Sequence, residues 1–342
     1  MSGPDDLSAP LPDVFAPTAA IVDPALPLEV FRARDEAPAR PVAERDSRRL
    51  RAAGEPGTLR PGAIVGKFRI EELLGTGGFA LVYRATHLLL HSTVALKLLR
   101  PDVVARRPQL AAQLLQEARF AARIDHPNVV RVLDVTHDPG LTFIVMEFID
   151  GTSLARSIAE RGALSPSSVV RIGLDTIDGL QAGLDKGLIH RDIKPPNILL
   201  TRTGTARIVD LGLANPIGDR DEGPLRGSTV VGTRGYMSPE QIAEPNAADF
   251  RSDIFSLGVT LLEAATGQSP NDLRARGAVT TTVPDGLARV LAWMVEDDPH
   301  DRPSSYRELR LALTDVRAQL QRTSSISERG EPNNLDNQEE HG

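Results

Sequence analysis

Between residues 190 and 200 the chain reads His190-Arg191-Asp192-Ile193-Lys194-Pro195-Pro196-Asn197-Ile198-Leu199-Leu200, and after a short hairpin it reaches Asp210-Leu211-Gly212. An acid, a lysine, an amide and a second acid therefore stand on two neighbouring turns braced by apolar residues. Such a set supplies a proton acceptor, a cation for phosphate and the hard oxygen ligands that Mg2+ prefers. A merely solvated polar loop would not keep this order over this length.

Two upstream segments bear on the same chemistry. Gly75-Thr76-Gly77-Gly78-Phe79-Ala80 follows a strand-like run, with Val82 entering the next one. Glycines there let main-chain N–H groups approach phosphate oxygens unobstructed, although a glycine-rich hairpin also serves as a plain turn. In Val94-Ala95-Leu96-Lys97 a lysine interrupts an apolar strand and needs a partner if it turns inward, and Glu117 on the following helix is the candidate.

The positioning elements follow from periodicity. Phe68 to Leu74, Leu81 to Ala85, Thr93 to Leu98, Val129 to Thr136 and Thr142 to Glu147 read as strands, with one helical stretch from about Pro108 to Arg123 among them. After Gly151 the strands nearly vanish. Ser167 to Lys186, Phe250 to Thr266, Leu287 to Val295 and Ser304 to Leu320 have helical spacing, several opened by Ser, Asp or Pro. The expectation is an α+β chain of two lobes, a small sheet-rich one at 65–147 and a larger helical one at 151–320, with a ligand cleft near the junction.

From Met1 to about Gly57, recurrent prolines break helices and deny sheets their ladder bonds, so the segment reads as a flexible arm; Leu26, Leu28, Val30 and Phe31 are its one apolar knot. Residues 321–342, rich in Ser, Asn, Glu and Gln, read as a solvated tail. The 342 residues carry 39 basic and 46 acidic side chains, a net charge of -7, which disfavours nonspecific binding to nucleic acid or anionic lipid. The absence of cysteine excludes disulfides, thiolate metal sites and a cysteine nucleophile. No apolar run approaches the roughly 18 to 20 residues of a membrane span, and the acidic opening is unlike a signal peptide, so the expected location is cytoplasmic.

Taken together, these motifs resemble a protein kinase, most closely the eukaryotic-like serine/threonine kinases of bacteria. The resemblance spans about Val65 to Leu320. It also takes in His126-Pro127-Asn128-Val129-Val130, the linker Val145-Met146-Glu147-Phe148-Ile149, Gly232-Thr233-Arg234-Gly235-Tyr236-Met237-Ser238-Pro239-Glu240, Ser252 to Gly258, and Asp298 to Pro303. It implies a bilobal kinase fold that uses ATP and Mg2+. Gly75, Thr76, Gly77, Gly78, Phe79 and Ala80 would cover the phosphates, and Lys97, held by Glu117, would contact them. Asn197 and Asp210 would bind Mg2+, Asp192 would accept the proton of the substrate hydroxyl, and Lys194 would stabilise the moving phosphoryl group. The adenine would lie between Val82 and Ala95 above and Leu199 below, with main-chain bonds from Glu147 and Ile149 and with Met146 beside it. For Val82 and Leu199 ordinary core packing is an open alternative.

The resemblance further implies that Glu240 pairs with Arg302, that Asp253 supports the catalytic loop, and that 210–240 is an activation loop. Phosphate on Ser228 or Thr229 would pair with Arg191, with Thr233 belonging to the substrate wall; autophosphorylation would involve self-association of two copies. The Gly232 to Glu240 wall favours a protein substrate over a small molecule, and Lys194 with Thr233 resembles the serine/threonine type, so the acceptor would be an aliphatic Ser or Thr hydroxyl. The alternative is a pseudokinase scaffold that binds ATP without transfer. Three departures stand out: Leu211 in place of Phe, Ser238 in place of Ala, and a short interval from Gly267 to Arg302.

Overall fold

A computed structural model describes residues 58–106, 109–138, 141–210, 233–244, 248–272 and 283–329. The expected arm at 1–57, Leu211, and the loop residues Ser228 and Thr229 lie outside the described residues.

The first lobe is an antiparallel sheet in the order β1-β2-β3-β4-β6-β5, formed by β1 (Ile64–Val65), β2 (Phe68–Thr76), β3 (Ala80–His87), β4 (Thr93–Leu99), β5 (Val132–Asp138) and β6 (Leu141–Glu147). Strand side chains alternate between faces, so one strand serves two cores. Leu96 and Leu98 of β4 pack with Phe68, Ile70, Tyr83, Phe143 and Val145 on one face. Ala95 points the other way, into a cluster with Ala80, Leu99, Ile144 and Met146 that is covered by Ala111, Leu114 and Ala118. Those three come from α2 (Gln109–Ala121), preceded by a short α1 (Pro101–Arg106). Sequence reading placed one helix here. The separate turn at Pro101–Arg106 has Pro at its first position, where the missing N–H costs nothing.

The second lobe is built on helices: α3 (Leu154–Arg161), α4 (Pro166–Leu184), α5 (Pro239–Ala243), α6 (Phe250–Thr266), α7 (Asp285–Met294) and α8 (Tyr306–Arg329). Ser153, Ser165 and Asp249 cap α3, α4 and α6 by accepting main-chain N–H bonds, and Ser238 with Gln241 forms a capping box on α5. α6 ends on Gly267, whose φ of 68° is the left-handed cap that glycine takes without steric cost. Buried along α6, Ile254, Leu257 and Leu261 pack with Val169 and Ile177 of α4, Leu291 of α7 and Leu313 of α8 in one core.

Two expectations need correction. Strands persist after Gly151 as a small sheet, β7 (Gly151–Ser153), β8 (Ile198–Thr201) and β9 (Ala206–Ile208), too short for a periodicity signal but paired in register as Thr152↔Leu200 and Leu200↔Ala206. The tail expected from residue 321 begins as helix, because α8 continues to Arg329. No Gly or Pro interrupts 321–329, so nothing in that run breaks the hydrogen-bond ladder. Of the interval Gly267 to Arg302, residues 273–282 lie outside the described set.

Arg302 closes the bottom of this lobe. Its guanidinium grips Glu240 in a fork, NH1 to Oε1 at 2.7 Å and NH2 to Oε2 at 2.9 Å, while Nε donates to the Glu296 carbonyl at 2.7 Å. Ser252 donates a further bond to Glu240 Oε1. Burial alone would raise this carboxyl, but the Arg302 fork, Ser252 and Ser238 outweigh it and bring the pKa to about 2 from the ordinary 4.5. The folded-state value is depressed, so the stabilisation is complete above the unfolded pKa and is lost as pH falls through the folded one. Glu240→Gln should cost about 3–5 kcal/mol at neutral pH by stranding Arg302. In urea titrations the gap from the wild type should narrow as pH drops from 4.5 toward 2.

Candidate functional site

The loop bearing Asp192 is held from beneath by one carboxylate. Asp253, completely buried in α6, accepts the main-chain N–H of His190 at 2.8 Å and of Arg191 at 2.6 Å, and the Tyr306 hydroxyl from α8 at 3.2 Å. Burial pushes this carboxyl up, opposed by the His190 ring and these donors. The buried His190 ring braces the loop from within, with Nδ1 accepting the Asp192 N–H at 3.3 Å and Nε2 hydrogen-bonded to the Val209 carbonyl at 3.0 Å. Arg191 takes a left-handed φ of 62°, a costly conformation for a residue with a Cβ, and the two bonds from Asp253 and Gln241 at its N–H and carbonyl hold it there.

Above this base the polar groups converge. Asp192 Oδ2 lies 2.8 Å from Lys194 Nζ, and Asn197 Nδ2 donates both to that oxygen at 3.0 Å and to the Asp192 carbonyl at 2.8 Å. Asn197 sits in the helical turn Pro195–Asn197 and feeds straight into β8. With its amide nitrogen committed to Asp192, its amide oxygen is the group left for a cation. β9 leads to Asp210, which has a φ of 61° and pairs with Lys97 Nζ at 2.7 Å. Burial would raise the Asp210 carboxyl, yet Lys97, with His190 and Lys194 behind it, holds it below the usual carboxylate range. Lys97 is thus joined to the loop acid 113 positions away in the chain, the difference between 210 and 97.

The register of the first sheet shows why Lys97 faces inward. It pairs with Val82 on β3 and Ile144 on β6, and Ala95 pairs with Met146; directly paired residues share a face. Val82, Ile149, Leu199 and Val209 pack at the margin of the same cluster as Ala95 and Met146. Both readings of Val82 and Leu199 are therefore compatible with the packing, since each is only partly buried and joins an apolar wall that continues to the site. Glu147 donates its main-chain N–H to the Arg131 carbonyl at 3.0 Å, so its own carbonyl is the group it has to offer an adenine.

The glycine-rich turn closes with a bond from Gly77 N–H to the Ala80 carbonyl at 2.8 Å. A Cβ would meet nothing at Gly75 or Gly78, whereas at Gly77 it would come within 3.2 Å of the Ala80 oxygen. Of the three glycines, Gly77 is therefore the one whose smallness the turn itself uses. Glu117 lies on α2, but its side chain is outside the described residues, as is that of Thr233.

The bulge at Leu74 and the contacts of Arg207 were not singled out from the sequence. Leu74 is the unpaired residue of a bulge between the Leu73↔Tyr83 and Gly75↔Val82 pairs and is 46% exposed beside the glycine turn. A large apolar residue directly before Gly75 was the available signal. Arg207 carried none, because a basic residue in a short strand ordinarily faces solvent.

A family model described as protein kinase domain matches residues 68–311. The chain belongs to the protein kinase domain family. It is 36% identical over 214 residues to the serine/threonine-protein kinase PknB of Mycobacterium tuberculosis, a match covering 61% of this chain and 34% of that protein. It is also 36% identical over 211 residues to a probable serine/threonine-protein kinase PknB of Corynebacterium glutamicum, covering 60% of this chain and 32% of that protein. The match thus spans about a third of the length of these curated relatives. Among solved structures, a double mutant of the Mycobacterium tuberculosis PknI kinase domain superposes with a TM-score of 0.60 at 25% identity, covering 76% of this chain and 99% of that one. The two-lobed arrangement is the kinase fold, and the bacterial eukaryotic-like serine/threonine type is the branch these relatives represent.

Asp253→Ala tests the support of the kinase loop. Orphaning two buried N–H groups, at about 1–3 kcal/mol each, should lower stability by about 2–6 kcal/mol. If the expected adenine pocket at Val82, Ala95 and Met146 in the other lobe takes ATP, kcat should fall far more than KM for ATP rises; urea unfolding and steady-state kinetics measure the two effects.

Proposed function

We propose that this chain is a serine/threonine protein kinase that transfers the γ-phosphate of ATP to Ser or Thr hydroxyls of protein substrates. The observation that carries the reading is the pair of contacts Lys97–Asp210 and Asp192–Lys194–Asn197, which gather a phosphate cation, two acids and an amide from both lobes. The carboxylate of Asp192 is assigned to orient the acceptor hydroxyl and take its proton as the new O–P bond forms and the bond to ADP breaks. Lys194 balances charge on the moving group, and Lys97 engages the α and β phosphates. Gly75, Thr76, Gly77, Gly78, Phe79 and Ala80 cover the phosphates, while Val82, Ala95, Met146, Glu147, Ile149 and Leu199 hold the adenine.

Asn197 and Asp210 fit Mg2+: one presents an amide oxygen freed by the bonds of its nitrogen, the other an ionised carboxylate. A cation held by few protein oxygens together with substrate phosphates is the usual habit of Mg2+. When bound, it would neutralise phosphate charge; Lys97 would then share Asp210 with it rather than pair with it alone. Glu117 is assigned to hold Lys97 once the nucleotide is in place.

Arg191 supports a regulatory reading. Burial lowers its affinity for its proton, its Nε is buried with no hydrogen-bond partner among the described residues, and its NH2 reaches only the Ala248 carbonyl at 3.4 Å. A phosphate on Ser228 or Thr229 would supply the missing acceptor, and transfer between two transiently paired copies would install it. Among the described residues no helix is long and apolar enough to cross a membrane. Dependence on ATP fits action in the cytoplasm. All four groups needed for transfer are present, and nothing observed favours a nucleotide-binding scaffold.

Incubated with Mg2+ and γ-labelled ATP, the wild-type chain should label itself or a generic Ser/Thr substrate. Asp192→Asn and Lys97→Met should lose at least about a hundredfold of that activity, in line with the removal of a positioned base or charge. Measurable ATP binding with no transfer by the wild type would reject the assignment. Mass spectrometry should locate phosphate on the wild type and none on Asp192→Asn.

A further inference from the structure

Resting on the assignment of Glu147 and Ile149 to the adenine edge, we propose that Arg207 is a positioning residue for nucleotide binding, its guanidinium clamping the Glu147 side chain and so fixing the main chain that meets the base.

The geometry is a planar fork on a carboxylate. Arg207 NH1 donates to Glu147 Oε2 at 3.1 Å, and NH2 lies 2.9 Å from Oε1 and 3.3 Å from the Val129 carbonyl, to which it also donates. Glu147 Oε1 accepts a further bond from the Arg131 N–H at 2.7 Å. Both side chains are largely withdrawn from water, at 18% and 21% exposure. The pair is unlike Arg202–Asp150, which ties the turn after β8 to the linker at 80% and 61% exposure. Exposed pairs of that kind contribute little, whereas a partly buried bidentate pair sets orientation and costs more to break.

Its placement gives the clamp a task. Arg207 pairs directly with Leu199 across β8 and β9, so the two side chains rise from the same face of the hairpin. Leu199 is the assigned floor of the adenine site, and Asp210 follows Arg207 by three positions. Glu147 ends β6 immediately after Met146, where the chain leaves the first lobe. One guanidinium therefore registers the linker against the hairpin that carries the floor. Without it, the Glu147 carboxylate keeps only the Arg131 N–H, and the main chain at Glu147 loses its tie to the hairpin. Binding at the adenine end suffers, while the phosphate end, held by Lys97 and the glycine turn, does not.

Calorimetric titration of the full chain with Mg-ATP, adenosine and tripolyphosphate tests this, beside thermal unfolding. Arg207→Met, which keeps the apolar stem, should weaken ATP and adenosine about tenfold each, the factor for one hydrogen bond of ordinary strength, and leave tripolyphosphate unchanged. Glu147→Gln should do the same, the double variant should bind no worse than either single one, and Arg207→Lys should recover part of the loss. Steady-state KM for ATP should rise more than kcat falls. Adenosine affinity within twofold of wild type in folded Arg207→Met overturns the clamp. So do equal losses for adenosine and tripolyphosphate, which mark general damage, and additive effects in the double variant. Should Arg207→Met not fold, Glu147→Gln and Arg207→Lys decide by the same criteria. Failure of the wild type to bind ATP at all is a separate result: it overturns the kinase reading and the clamp with it.

Discussion

A buried carboxylate at the heart of the helical lobe, Asp253, governs the rest. It sits on a helix that is enclosed along most of its length, and it faces two main-chain N–H groups in a loop that has no regular ladder of its own. An acid in such a place is tolerated only if donors surround it. The donors here are the main-chain N–H groups of His190 and Arg191 with the Tyr306 hydroxyl, so satisfying the acid and shaping the loop are one event. The left-handed backbone at Arg191 follows, as does the direction in which Asp192 leaves it.

From that base the site grows by shared partners rather than by separate supports. Asp192 is bonded to Lys194 and Asn197, Asn197 accepts its own neighbour's chain at Val209 through its carbonyl, and Val209 meets the His190 ring. Asp192 and Asn197 each hold more than one partner, and shared partners of this kind narrow the loop to one geometry, with the Asn197 amide oxygen the group left open. Lys97 joins from the other lobe through Asp210.

Much of this was legible in the chain, for identifiable reasons. Lys97 was readable because a charge inside Val-Ala-Leu-Lys demands an inward partner, and Asp192, Asn197 and Asp210 because their order is compressed into a short span. The lobe division was readable from the change of period at Gly151, and α6 and α4 were placed to within a few residues by their apolar spacing and caps. The contact of Lys97 with Asp210 was not inferred, because an ion pair between residues 113 positions apart leaves no trace in local pattern, and the inferred partner, Glu117, has its side chain outside the described residues. Arg207 was unreadable for the same reason: its role depends on a cross-strand pair with Leu199 and on a linker acid 60 positions away. The run of α8 past Leu320 shows the limit of composition, since Ser and Thr lower helix propensity without ending a helix already nucleated on a packed face.

The segment from Asn128 to Val130 belongs in sequence to the sheet lobe, yet its main chain bonds to β9: Ile208 N–H to the Asn128 carbonyl at 2.8 Å and Val130 N–H to the Ile208 carbonyl at 2.9 Å. Among the described residues these bonds add a second backbone attachment to the covalent linker at Phe148 to Asp150. A body pinned twice rocks about the line through its pins and resists swivelling across it. Two such attachments favour opening and narrowing of the mouth over Lys97 about the line between them over swivelling across it.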